Sequence, residues 1–251
     1  MKIDINCDMG ESFATYELGN DKEMIKYISS ANIACGFHAG DPGWMRKTVT
    51  LAEKHGVSIG AHPSFPDLKG FGRRNMDVSP KEVEDDVTYQ IGALAAFTKT
   101  KRLAHVKPHG SMYNMAANDE NLAEAICNAV LKFDKEMILI VLAGTKWVNI
   151  AENMNLQVAQ EVFADRAFAA NGSLVPRGTP GAVIHDIDTV VKRSVKMITE
   201  KKVTSITGEE IKLEMDTLCV HSDTPNATKL ASKINHALVS AKVEISAINK
   251  N

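Results

Sequence analysis

The sequence is short of several things at once. It has only 4 cysteines in 251 residues, and Cys7, Cys35, Cys127 and Cys219 are too scattered for a disulfide scaffold or a CxxC zinc site. Aromatic residues make up 6%, and 29 Lys+Arg balance 31 Asp+Glu for a formal net charge of -2. That balance leaves no basic footprint for nucleic acid or an anionic membrane. No apolar run reaches the roughly 18–20 residues that span a bilayer. The opening MKIDINCDMGES carries acids where a secretory signal needs an apolar stretch. The phosphate loop GxxxxGK[ST], a GxGxxG after a strand and the GxSxG elbow are all missing. Secreted, membrane-bound, fibrous and disordered classes are thereby excluded, and the expectation is a cytoplasmic globular protein. Any nucleotide it uses binds in an unconventional way or on another chain.

What is present is a repeated alternation. The runs IDINC (3–7), ANIAC (31–35), VSIGA (57–61), LAHVK (103–107), MILIVL (137–142), LQVAQEVF (156–163) and TLCVH (217–221) each have strand length. They read as continuous apolar stretches, as parallel strands covered on both faces do. Helical stretches lie between them. Residues 42–55 follow Asp41 as cap and stop at Gly56, and residues 79–100 open with Ser79, Pro80 and Glu82, a capping box. Helices also fit 118–133, 145–154 and 186–201, and Thr224–Pro225 starts a last one. The stretch 203–214 alternates around Gly208 and predicts a small inserted hairpin. No repeat or linker divides the chain, which reads as one domain over 1–251.

Strand–helix alternation permits an open doubly wound sheet or a closed barrel. The placement of ionisable residues decides. The strand ends carry Asn6, Asp8 and Glu11; His38 and Asp41; His62, Ser64 and Asp67; Lys107, His109, Tyr113 and Asn114; Glu161, Asp165 and Arg166; and His221 and Asp223. Only the fifth strand, MILIVLAG, ends without a charge. In a barrel all strand ends meet at one mouth, whereas an open sheet equips only those beside its switch point. The reading is an α/β fold, an irregular seven-stranded (β/α) barrel.

Three clusters at that mouth can carry chemistry. Asp8, His38 and His62 suit a divalent metal with one open position, or histidines that hydrogen-bond substrate or one another. Lys107 lies in an apolar strand, where an ammonium needs a partner: it is substrate-facing or ion-paired with Glu161. His109 beside it suits acid–base work. Glu161, Asp165 and Arg166 combine a candidate base with an anion clamp, or form a loop salt bridge. Arg73 and Arg74 in GFGRR offer anion-binding charge, or an exposed basic loop, and Arg177 sits in the Gly/Pro-rich GSLVPRGTPGA.

Taken in order, DINCDMGES, NIACGFHAGDP, IGAHPSFPD with GFGRR, VKPHGSMYN, EVFADRAF, LVPRGTPGAVI and CVHSDTP resemble the LamB/YcsF family over about residues 1–245. The resemblance implies a barrel related to polysaccharide deacetylases and glycosidases. It also implies ATP-dependent opening of 5-oxoproline to glutamate, together with two partner subunits, B and C, and an ATP site shared with a partner. Phe168 and Asn171 stand where family members often have Tyr and Asp. For that reaction Asp8, His38, His62, His109 and Glu161 are the acid–base candidates, with Glu161 or Asp8 preferred as base and Lys107 facing the developing oxyanion. Arg73, Arg74, Arg166 and Lys107 are the candidates for the substrate carboxylate, and Asn6, Glu11, His221 and Asp223 complete the substrate-binding set. The alternatives are a metal-dependent carbohydrate deacetylase acting alone, through Asp8, His38 and His62, and a non-catalytic subunit that only binds a ligand.

Overall fold

The computed structural model describes residues 1–222 and 226–248. Asp223, Thr224 and Pro225, a predicted site residue and a predicted helix start, lie outside the described residues.

Strand β1 (Lys2–Met9) shows how this sequence builds its barrel. Ile3, Ile5, Cys7 and Met9 alternate with Asp4, Asn6 and Asp8, and all seven are buried. Period-two alternation with both faces buried means one face packs on helices and the other fills the barrel interior. The face that β1 turns into the barrel is therefore polar, unlike the continuous apolar runs expected, and it is satisfied by hydrogen bonds. Ser30 and Thr217 donate to Asp4, Asn32 donates to Asn6, and Asn6 Nδ2 donates to Glu161 at 3.0 Å.

After β1 come α1 (Asp21–Met24), β2 (Ser30–Ala34), α2 (Pro42–His55), β3 (Ser58–His62), α3 (Pro80–Ala95), β4 (His105–Val106), α4 (Gly110–Ala116) and α5 (Glu120–Phe133). They are followed by β5 (Ile138–Leu142), α6 (Lys146–Asn153), β6 (Gln157–Phe163), α7 (Ile187–Glu200), β7 (Lys202–Thr204), β8 (Glu210–Lys212), β9 (Thr217–Val220), α8 (Ala227–Ser240) and β10 (Glu244–Ile245). The seven parallel strands β1-β2-β3-β4-β5-β6-β9 close into a ring, because β9 pairs with both β6 and β1. Closure sets Asp4 and Glu161 both opposite Thr217. β7 and β8 pair antiparallel apart from the ring, and β10 pairs only with Lys2 and Ile3 of β1.

The helices begin where their caps dictate. Asp41 accepts from the Gly43 and Trp44 amides at the start of α2, which ends at Gly56 with φ 67°. Ser79 and Glu82 form the capping box of α3. That helix ends at Ala95 rather than residue 100, and the Thr98 hydroxyl turns back onto the Ala95 carbonyl. The short helices α1 and α4 are additions to the predicted pattern. No described helix is long and apolar enough to cross a membrane.

Candidate active site

Lys107, just beyond β4, reaches into the barrel interior. Its Nζ lies 2.9 Å from Asp8 Oδ1, 3.0 Å from Glu161 Oε1, 3.2 Å from Asn6 Oδ1 and 3.1 Å from Cys219 Sγ. Burial alone would lower this ammonium, but the carboxylates of Asp8 and Glu161 reverse that and hold it well above the usual lysine range. Asp8 is pulled the same way. Burial would raise it, and the charges of His62 and Lys107 hold it well below the usual carboxylate range. Both readings of Lys107 thus meet in one residue, which is ion-paired with Glu161 and also lines the cavity. Glu161 is fully buried: Oε1 takes Asn6 and Lys107, and Oε2 accepts from the Tyr113 hydroxyl at 2.8 Å. It is not among the cavity-lining residues and reaches the cavity through Lys107 and Tyr113, which are.

Beside this floor stand the histidines of three successive strand ends. His62 Nδ1 is 2.6 Å from the Lys107 carbonyl, and its Nε2 is 2.9 Å from His109 Nδ1 and 3.4 Å from Asp8 Oδ1. His109 Nε2 is 2.9 Å from the Phe71 carbonyl, and its ring stacks on His38 at 3.7 Å between centroids. His38 Nε2 lies 3.0 Å from Glu11 Oε1. Burial, with neighbouring histidines adding to it, holds His38 and His109 well below the usual imidazole range. The carboxylate that joins these rings within ligand distance is Glu11. Glu11, His38, His62 and His109 offer ligand atoms within 4.8 Å of one another, whereas Asp8 groups with Cys219 and His221.

A cavity of about 580 Å³ opens above, lined by Asp8, Glu11, His62, Lys107 and His109 together with Arg73, Arg166, Arg177 and His221. His221 Nδ1 is 3.0 Å from the Asp165 carboxylate, and Arg177 approaches its Nε2 at 3.3 Å. Burial would lower His221, but the Asp165 carboxylate raises it above its ordinary value and is itself lowered.

The predicted arginines separate. Arg74 is clamped to Asp67 in the 67–74 loop and does not line the cavity. Arg166 lines it but donates to the Val175 carbonyl at 2.7 Å, pinning the loop that carries Arg177. Arg73 and Arg177 are exposed and face the cavity. Asp41 is a helix cap and Ser64 is held by Gln90, so neither strand-end residue belongs to the site. Asn75 and Ser111, hydrogen-bonded to each other at the rim, were not foreseen. Asn75 sits in a loop and Ser111 in the first turn of α4, neither with a chemical signature, and only the fold brings them together at the mouth.

Known proteins agree with this architecture. The family model described as LamB/YcsF matches residues 3–251. The 5-oxoprolinase A subunit of Clostridium beijerinckii is 54% identical over 99% of this chain and 98% of its own length. The protein of the same name from Bacillus subtilis is 51% identical over 99% and 98%. The crystal structure of the lactam utilization protein of Thermus thermophilus superposes with a TM-score of 0.93 at 47% identity, covering 99% of this chain and 100% of the other. A family 4 carbohydrate esterase from Streptomyces lividans, with a TM-score of 0.53 at 10% identity over 99% of this chain and 93% of its own, shares the barrel alone. Matched from residue 3 to residue 251, the chain belongs to the LamB/YcsF family.

Proposed function

We propose that this chain is the lactam-opening subunit of an ATP-dependent 5-oxoprolinase, working with the partner subunits B and C. Relatives of more than half identity that bear the name of the 5-oxoprolinase A subunit support the assignment. The observation that carries the chemistry is a pair of oppositely tuned groups close together in one cavity. Asp8 is held ionised by His62 and Lys107, and His221 is held toward its protonated form by Asp165. Their ligand atoms lie within 4.8 Å of each other. Groups whose environments push their pKa values apart are how a site divides acid from base.

A five-membered lactam is a resonance-stabilised amide and a poor electrophile. Phosphoryl transfer from ATP to the lactam oxygen, at a site shared with a partner, activates the ring carbon. Asp8 then takes a proton from water as its oxygen adds to that carbon. His221 delivers a proton to the ring nitrogen as the C–N bond breaks, leaving the amine and an acyl phosphate. A second water cleaves that acyl phosphate to glutamate and phosphate. Lys107 keeps Asp8 charged in a buried setting, and Glu161 holds Lys107. Arg73 and Arg177 take the substrate carboxylate by charge-assisted hydrogen bonds. Glutamate release from 5-oxoproline and ATP, assayed with the chain alone and with co-expressed partners, tests this. Release only with partners, abolished by Asp8→Asn, is expected. Release by the unpartnered chain, or full activity of Asp8→Asn, would refute it.

A further inference from the structure

The histidines at the cavity wall contain a contact that neutral imidazoles cannot satisfy. His62 Nδ1 faces the Lys107 carbonyl oxygen and His109 Nε2 faces the Phe71 carbonyl oxygen. A carbonyl only accepts, so each of these nitrogens carries the ring proton. The remaining nitrogens, His62 Nε2 and His109 Nδ1, then point lone pairs at each other across 2.9 Å. Glu11 Oε1 lies 3.5 Å from His109 Nδ1. All of these atoms are acceptors, and all belong to side chains at most 6% exposed. With both rings neutral, a cation between them reconciles the arrangement.

We infer that Glu11, His62 and His109 form a binding site for a divalent transition metal of the zinc class. The donor set is two imidazole nitrogens and one carboxylate oxygen, which suits zinc and its neighbours rather than magnesium or calcium. Two of the three donor separations, 2.9 and 3.5 Å, bracket the edge of a tetrahedron with zinc-like bonds, about 3.3 Å, and all the donor atoms lie within 4.8 Å of one another. The supports outside the donors match what metal histidines require. Each ring gives its second nitrogen to a backbone carbonyl, which fixes tautomer and orientation. His38 donates from Nε2 to Glu11 Oε1, stacks on His109 and does not line the cavity, so it is a positioning residue and not a ligand. The three ligands do line the cavity, which leaves the remaining position open to water or substrate.

The inference rests on the same cavity as the proposed function, but its test needs neither partners nor 5-oxoproline. The full chain is stripped with a chelator and titrated with Zn²⁺ by calorimetry, and with Co²⁺ by visible absorption. Stoichiometric Zn²⁺ binding and the intense visible bands of four-coordinate Co²⁺ are expected. Glu11→Gln, which keeps the shape and the acceptor for His38, should abolish both signals. His38→Asn should weaken Zn²⁺ binding roughly 10–100-fold, as loss of an outer partner does, while His236→Asn on the surface should change nothing. Absence of Zn²⁺ binding by the wild-type chain would overturn the site. So would ¹⁵N shifts of His62 and His109 that do not move on Zn²⁺ addition, because a shared proton would then hold the pair. Zn²⁺ binding by a protein that releases no glutamate even with its partners would leave the site standing and remove the proposed function.

Discussion

Lys107→Met tests the charge balance at the centre of the barrel. The substitution keeps most of the aliphatic stem but removes the ammonium that Asp8 and Glu161 share at 2.9 and 3.0 Å. Two carboxylates then remain in a water-poor interior, one fully buried and the other nearly so. Breaking a buried ion pair from one side costs about 3–5 kcal/mol, because the surviving charge is uncompensated. For a chain of this size each kcal/mol lowers the melting temperature by roughly 2–4 °C, so a drop of about 6–20 °C is expected. The double variant Lys107→Met/Glu161→Gln should regain part of this, since the glutamine oxygen still accepts from Asn6 and only Asp8 stays charged. Asp8 retains Asn32 at 2.9 Å and His62 at 3.4 Å. Thermal melts followed by circular dichroism on wild type, both singles and the double variant complete the cycle. The recovery should appear as a coupling of about 1–3 kcal/mol. If Lys107→Met melts with the wild type, or if Glu161→Gln adds to its loss instead of relieving it, Lys107 does not balance the two carboxylates.

Other outcomes follow from neighbouring geometry. Asp4 is buried at the lower end of the barrel, and desolvation raises it to about 6 from 3.8. The folded state therefore favours its protonated form, and the stability it contributes is full below about pH 4 and is lost as pH rises to about 6. Wild type should lose up to about 3 kcal/mol relative to Asp4→Asn across that window, measured by urea melts, with no further change above it. Arg177→Ala should raise KM for 5-oxoproline roughly 10–100-fold with little change in kcat, the worth of one charge-assisted contact, whereas Arg74→Ala, clamped to Asp67, should leave KM unchanged. An equal rise for both arginines would contradict their separation by the cavity. Gly72 has φ +64°, and an added Cβ would overlap the Ser64 hydroxyl and come within 2.7 Å of the His109 ring. Gly72→Ala should thus lower both the melting temperature and the activity, and a wild-type melting curve would show that the loop yields.

Local physics makes much of this protein legible from its residues. Seven strand-length runs, the Asp41 cap before Pro42 and the Ser79–Glu82 box act over a few residues and hold in the fold. Polar residues at nearly every strand end already point to closure, because only a ring brings all those ends together. Position after a strand does not say which way a side chain turns, however. Asp41 turns back to cap a helix and Asp67 to clamp Arg74, while Asp165, in an equivalent place, holds His221. The alternation of Asp4, Asn6 and Asp8 in β1 was there to be read, yet its meaning as a polar barrel interior depends on what covers that face.

What the sequence determined by itself was the set of elements, their order, and the supply of ionisable groups at one end. What only the tertiary structure decided was pairing. Register across the closed ring brings Lys107 to Glu161 and Asp8, residues 54 and 99 positions away, and lowers Glu161 beneath the cavity floor. It also turns two histidines 47 residues apart until their ring nitrogens face across 2.9 Å. The physical reason is that burial makes charge and hydrogen-bond partners decisive, and which groups are buried together is set by strands far apart in the chain.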